Sequence, residues 1–154
     1  MTGEALQSSN DLLLDTGIII RHLRNDKRAH DLLDYLGDRG DIKVSVITFM
    51  EILVGCRSKE EEEQSSSFFD RVPPLIVNRE VAHKASSLIK RYPTVFGRGV
   101  QRGTPDAIIA ATAWQEQRIL VTFNTRQFAK IPIAEIVIQA IEQNAADWVA
   151  TLTI

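Results

Sequence analysis

Asp15, Glu51, Asp106 and Asn124 are the residues whose types and spacing suit chemistry. Asp15 ends the apolar run "LLLD", and Glu51 lies about one turn beyond the β-branched run "IKVSVIT". Asp106 follows Pro105 at the start of the apolar block "TPDAIIAATAW", and Asn124 follows "RILVTF". In an open parallel sheet, ligands bind beyond the carboxyl ends of the strands. Four residues at these offsets can therefore reach one edge of one sheet. Three carboxylates gathered there repel one another unless a cation stands among them. Hard divalent cations take oxygen ligands, and Mg²⁺ commonly combines one or two carboxylates with water and substrate phosphate. Such a site polarises a phosphodiester and generates hydroxide from bound water. Singly, each residue has a plainer role. Asp15 suits a helix N-cap, Glu51 an exposed helix face, Asp106 the positive end of a helix dipole and Asn124 a turn. Their convergence is what points to function.

The elements that would position these groups alternate in type. "DLLLD" reads as a short buried strand. "KRAHDLLDYLGDRG" places Leu32, Leu33 and Leu36 at helical spacing and stops at Gly37 and Gly40. "IKVSVIT" reads as a strand, "FMEILVGCRSKEEEEQSSSFF" as a helix and "PPLIVN" as a strand led by prolines. "REVAHKASSLIKRY" is a helix with Asn78 as its cap and Val81, Ala82, Ala85, Leu88, Ile89 and Tyr92 on one face. In "TPDAIIAATAW", Thr104 suits the N-cap, Pro105 the first helical position and Asp106 the first turn. This helix is apolar all round and should be central. "RILVTF" is a strand, "NTRQFAKI" a turn with a short helix, and "AEIVIQA" a last strand. The pattern predicts an α/β sandwich in which helices flank a mostly parallel sheet. Residues 1–10 are expected to form a flexible tail, and 11–154 one domain.

Bulk properties narrow the function. A chain of 154 residues is long enough for one sizeable core. Its 44 % hydrophobic and 25 % charged residues are ordinary for a soluble globular protein. The net charge of −2 is uninformative about nucleic acid unless charge is segregated. The single cysteine, Cys56, cannot form an intramolecular disulfide, which suits a reducing cytosol. The start "MTGEALQSSN" has neither a basic segment nor an apolar core of a secretion signal. A cytoplasmic location is expected. His22, His30 and His83 lack zinc-ligand spacing and are expected to be surface or packing residues.

The stretch "LLLDTG" resembles the catalytic strand of aspartic proteases. Those enzymes are nearly all β and need two such motifs, whereas this chain has one motif followed by a helical segment. A phosphatase using Asp15 as nucleophile would usually show a second Asp two residues on, where Gly17 stands.

"LLLDTGIIIRHLR", "SVITFMEILVG", "RGTPDAIIAATA" and "ILVTFNTRQFAKI" occur in the order seen in PIN domains. From Leu12 to Ile138 the chain resembles VapC-type toxins of toxin–antitoxin pairs. The resemblance implies a PIN-like three-layer sandwich and a Mg²⁺-dependent endoribonuclease, with Mn²⁺ as an alternative metal, silenced by a cognate antitoxin. It implies Asp15, Asp106 and Glu51 as metal ligands, the last directly or through water, and Asn124 as a fourth polar site residue. The sequence departs from the family pattern at Gly17, where a polar residue is more usual, and at Gln127, which is frequently acidic. Both changes are expected to weaken metal binding. An alternative is a degenerate PIN module that binds RNA or a protein partner without cleavage.

Phosphate contacts supply much of the affinity for nucleic acid. The segment from Lys90 to Arg102 carries Lys90, Arg91, Arg98 and Arg102 and no acid, and Arg98 and Arg102 are the expected RNA-binding residues. Arg21, Arg24, Lys27 and Arg28 form a second basic cluster, and Arg126 follows Asn124. The run Glu60 to Glu63 reads as a solvated helix face, with a basic antitoxin segment as its possible partner. Relatives of this kind are often homodimers; Trp148, Val149 and Leu152 would serve such an interface or pack back on the core.

Overall fold

A computed structural model describes residues 11–97, 103–124 and 133–154. Five strands form one wholly parallel sheet in the order β3-β2-β1-β4-β5. They are β1 (Leu12–Leu14), β2 (Ile42–Ser45), β3 (Pro74–Leu75), β4 (Ile119–Thr122) and β5 (Ile138–Ala140). The chain builds outward from β1 through β2 to β3, then returns to the other side of β1 with β4 and β5. The reversal falls between β1 and β4, and the crevice at such a reversal is where open α/β sheets bind ligands.

Period-two alternation in the central strand divides the core. Leu12 and Leu14 pack with Ile18, Ile19, Leu32, Phe68 and Trp148, on one face of the sheet. Leu13 packs with Val81, Leu88, Phe96 and Ile109 on the other. The first face is covered by α1 (Thr16–Leu23), α2 (Lys27–Gly37), α4 (Lys59–Arg71) and the C-terminal segment. The second is covered by α5 (Arg79–Arg91), α6 (Pro93–Phe96) and α7 (Thr104–Gln115). α3 (Val46–Gly55) links the two faces, with Ile52 in the first cluster and Ile47 against the second. The result is the expected three-layer α/β sandwich.

Capping explains several boundaries. The Asn78 side chain accepts from Val81 N at 2.9 Å and starts α5 where its sequence predicts. Ser45 does the same for α3, accepting from Ile47 N at 3.1 Å. That cap ends β2 three residues before the end of the β-branched run, so Val46, Ile47 and Thr48 are helical rather than extended. The single helix expected after it is also two helices. Cys56 is extended, and Ser58 caps a new helix by accepting from Glu61 N. α7 begins one residue earlier than Thr104-capping implies, with Gly103 at the N-cap. A Cβ at Gly103 would lie 1.4 Å from the backbone oxygen of Phe96, so no side chain fits there. α7 is buried through Ala107, Ile109, Ala110, Ala111, Thr112 and Ala113, and its small residues let α5 pack closely along it.

The C-terminal residues fold back on the core. Trp148 is fully buried and stands edge-on to Phe123 at 4.9 Å, with Val149 and Leu152 packed against the same cluster. Among the described residues, no helix is long and apolar enough to cross a membrane. Residues 1–10 and most of "NTRQFAKI" lie outside the described residues.

Candidate active site

Asp15 leaves β1 at its carboxyl end and caps α1. Its carboxylate is held at both oxygens. Oδ1 accepts from Thr16 N at 2.8 Å, and Oδ2 accepts from the Thr122 hydroxyl at 2.6 Å. The Asp15 backbone N–H donates to Val121 O at 3.0 Å, which fixes β1 against β4 at this point. A carboxylate has about four acceptor positions, so two remain for a ligand. Thr122 also accepts from Asn124 N at 3.0 Å and thereby sets the turn that carries Asn124.

Asp106 stands in the first turn of α7, after Pro105. Asp15, Asp106 and Asn124 line one small cavity with Ile109 and Leu120 beneath. Its volume of about 10 Å³ suits roughly one water-sized occupant.

Glu51 is placed differently. Because β2 ends at Ser45, Glu51 falls in the second turn of α3, exposed, and does not line that cavity. It lines a neighbouring cavity of about 380 Å³ with Arg24, Cys56, Arg57 and Gln64. Thr16 joins the two places. Its hydroxyl donates to Glu51 Oε1 at 3.1 Å while its backbone N–H holds Asp15. Among the described residues, no three His, Cys, Asp or Glu side chains stand close enough to hold a metal ion. The donor set on the small cavity still fits a hard divalent cation. Mg²⁺ takes only one or two carboxylates directly and keeps several waters. Two carboxylates and an amide meet that need.

The remaining expectations divide. Arg98, Arg102, Arg126 and Gln127 lie outside the described residues. Arg91 pairs with Glu135, which also accepts from the Tyr92 hydroxyl at 2.9 Å. Arg28 is bound to Asp26 and to the carbonyls of Gln143 and Ala145, so it serves the fold. Lys27 pairs with Asp31 at 2.7 Å. A Cβ on Gly17 would already stand 3.1 Å from the Phe123 ring, so a larger residue here needs the ring to give way. His22 and His30 pack edge to face at 4.5 Å, as packing residues.

Thr16 and Thr122 are site residues that periodicity did not single out. Thr122 had one signal: a polar residue closing an otherwise apolar strand that is buried throughout. Arg57 is missing from the expected set too, and Arg24 is expected only as part of a basic cluster. Both line the cavity beside Glu51, Arg57 from just beyond the end of α3 and Arg24 through the packing of α1 against α3.

Comparison with known proteins gives the family. The PIN domain profile matches residues 12–134. Ribonuclease VapC19 of Mycobacterium tuberculosis is 34 % identical over 123 residues, covering 78 % of this chain and 94 % of that protein. Ribonuclease VapC10 of the same organism is 32 % identical over 120 residues, covering 76 % and 85 %. A toxin–antitoxin complex from Klebsiella pneumoniae contains a chain that superposes with a TM-score of 0.65 at 28 % identity, covering 79 % of this chain and 92 % of that one.

Proposed function

The chain belongs to the PIN-domain family, and from that premise we propose that it is a divalent-metal-dependent endoribonuclease, the toxin of a toxin–antitoxin pair. The observation that carries the reading is the sharing of one cavity by Asp15 and Asp106 at the sheet's reversal point. The reaction is hydrolysis of RNA phosphodiester bonds within a cytoplasmic protein whose residues 11–154 form one nuclease domain. Its partners are RNA and a cognate antitoxin. The assembly is a homodimer, and Met50 and Val54, exposed one turn apart on α3, supply apolar surface for the second copy.

Asp15, Asp106 and Asn124 would hold the ion, Mg²⁺ in the first instance, with Glu51 reaching it through water. The bound ion would polarise the scissile phosphate and acidify its water. The protein's own contribution is arrangement. Thr122 and the Thr16 N–H fix the Asp15 carboxylate from two sides, so it need not reorganise when substrate arrives. Glu51 would orient a water and accept its proton. Arg98 and Arg102 are the proposed phosphate-binding residues, and Arg24 and Arg57 add positive charge beside Glu51.

A fluorescently quenched RNA incubated with the purified protein tests the reading. Cleavage is expected with Mg²⁺, none with EDTA, and none from Asp15→Asn. Binding of RNA without cutting in any divalent metal would sink the ribonuclease and leave a non-catalytic module.

A further inference from the structure

Thr48 does not line the cavity shared by Asp15 and Asp106, and its hydroxyl bonds to Thr16 and not to Asp15. It is the third residue of α3, fully buried, and its hydroxyl lies 2.8 Å from the hydroxyl of Thr16 on α1. Proton counting fixes the direction of that contact. Thr16 has one hydroxyl proton, and it goes to Glu51 Oε1 at 3.1 Å, since an ionised carboxylate can only accept. The Thr16–Thr48 bond must then use the Thr48 proton. A directed chain results: Thr48 donates to Thr16, and Thr16 donates to Glu51.

We propose that Thr48 is a positioning residue for the ribonuclease, acting through Thr16 to hold the Glu51 carboxylate at the edge of the cavity. The inference rests on the functional reading above. Glu51 is exposed and lines the neighbouring cavity, not the one shared by Asp15 and Asp106. Without a restraint, its side chain would sample several rotamers, each with a different distance to the reacting phosphate. Thr16 is the restraint, and Thr48 keeps Thr16 in the one rotamer that reaches Glu51. The anchor is rigid because Thr48 is enclosed and its χ1 is restricted by β-branching. A hydroxyl buried in α3 has no water to turn to, so leaving Thr16 is unfavourable. The same Thr16 grips Asp15 through its backbone N–H. One residue therefore ties the two acidic positions into a single geometry, and Thr48 locks that residue from inside the protein.

The test compares Thr48→Val, nearly equal in volume but without the hydroxyl, with Thr48→Ser, which keeps it. Three quantities are measured: the Thr16 χ1 populations by NMR scalar couplings in metal-free protein, Mg²⁺ affinity by calorimetry, and RNA cleavage. In wild type and Thr48→Ser, Thr16 is expected in one rotamer. In Thr48→Val it should average over at least two, kcat should fall about tenfold with KM within twofold, and Mg²⁺ should bind several-fold more weakly. Should the valine variant fail to fold, Thr48→Ala, which removes the hydroxyl without adding volume, is read the same way. A single Thr16 rotamer and wild-type kcat in a folded variant lacking the hydroxyl would overturn the proposal. So would failure of Thr48→Ser to restore both. The rotamer measurement needs no catalysis. If wild type cuts no RNA, it is the ribonuclease reading that fails, and the Thr48-to-Thr16 restraint is still decided by NMR.

Discussion

The Thr122 hydroxyl, at the end of β4, donates to Asp15 Oδ2, at the end of β1, across 2.6 Å. Both residues stand at the strand ends where the sheet order reverses, so this bond ties the two strands together at the Asp15 side of the cavity. Thr122 is fully buried and accepts in turn from Asn124 N. Thr122→Val keeps the shape and removes both functions. Hydrogen bonds to charged groups are worth about 1.5–3 kcal/mol, and a loss of that order is expected in urea titrations. RNA cleavage should fall at least tenfold, because the Asp15 carboxylate gains freedom and the Asn124 turn loses its anchor. Unchanged stability and unchanged cleavage would show that the bond does not organise the site.

Asp106→Asn separates chemistry from folding. It replaces one of two carboxylates on the small cavity with an amide of the same shape. Cleavage should collapse, since the ion loses a charged ligand. Without metal, two opposing terms act on stability. Relief of repulsion towards Asp15 favours the variant. Loss of a negative charge in the first turn of α7 costs about 0.3–1 kcal/mol. The melting temperature in EDTA is therefore expected to stay within a few degrees of wild type. Added Mg²⁺ should raise the wild-type melting temperature more than that of the variant, by ligand linkage. A variant that melts far lower in EDTA yet still cuts RNA would make Asp106 a helix-start residue alone.

The sequence made the sheet legible because its strands are short apolar runs set between helical periods, and β1, β4 and β5 fall within the expected runs. Asn78 announced α5 by its chemistry. Ser45 did not, because capping by Ser competed with a β-branched run that continues through Val46 and Ile47, and the cap prevailed. That one boundary puts Glu51 in the second turn of α3, and Glu51 does not line the Asp15 cavity. Asp15 and Asp106 were recognisable as ends of elements. The threonines were not, because a threonine in a strand or helix carries no periodic signal, and its role depends on which hydroxyl comes opposite in space. Arg28, expected in a basic cluster, turns inward because Asp26 and two C-terminal carbonyls await it, contacts separated from it by 115 and 117 residues.

Arg28→Lys probes how the C-terminal segment is fastened. The guanidinium donates to Asp26 through Nε at 3.1 Å and Nη2 at 2.8 Å, and to Gln143 O and Ala145 O at 3.0 Å each. It also lies 4.5 Å over the Trp148 ring. A lysine has the charge but not the planar fork and cannot make these contacts together. Destabilisation of about 1–2 kcal/mol is expected, with faster proteolysis after residue 142. Trp148 packs on Phe123, next to the active-site turn, so a modest loss of cleavage should accompany it. Equal protease resistance in the two proteins would contradict this fastening role.

His22 gives the fold a predictable acid sensitivity. Its Nδ1 is buried without a hydrogen-bond partner among the described residues, and its ring packs on His30 and, at 5.3 Å, on Phe68. Burial is the main cause holding its pKa below the ordinary value of 6.5, and His30 and Arg71 push it the same way, while Asp34 opposes them. The folded protein therefore binds this proton less readily than the unfolded chain does. The contribution to stability is complete above about pH 6.5 and is lost as pH falls from there towards the folded value. Asp26 does not contribute in this window. Its pKa is lowered, chiefly by the hydrogen bond from Arg28, from an ordinary value of 3.8, so its effect appears only in stronger acid. Wild type should lose melting temperature between pH 7.5 and pH 5.5 in metal-free buffer. His22→Phe keeps an aromatic ring at this junction of α1, α2 and α4 and removes the titrating group. Its melting temperature should change less over the same range, whatever its absolute value. If the two slopes coincide, or if wild type grows more stable on acidification, protonation of His22 is not coupled to unfolding.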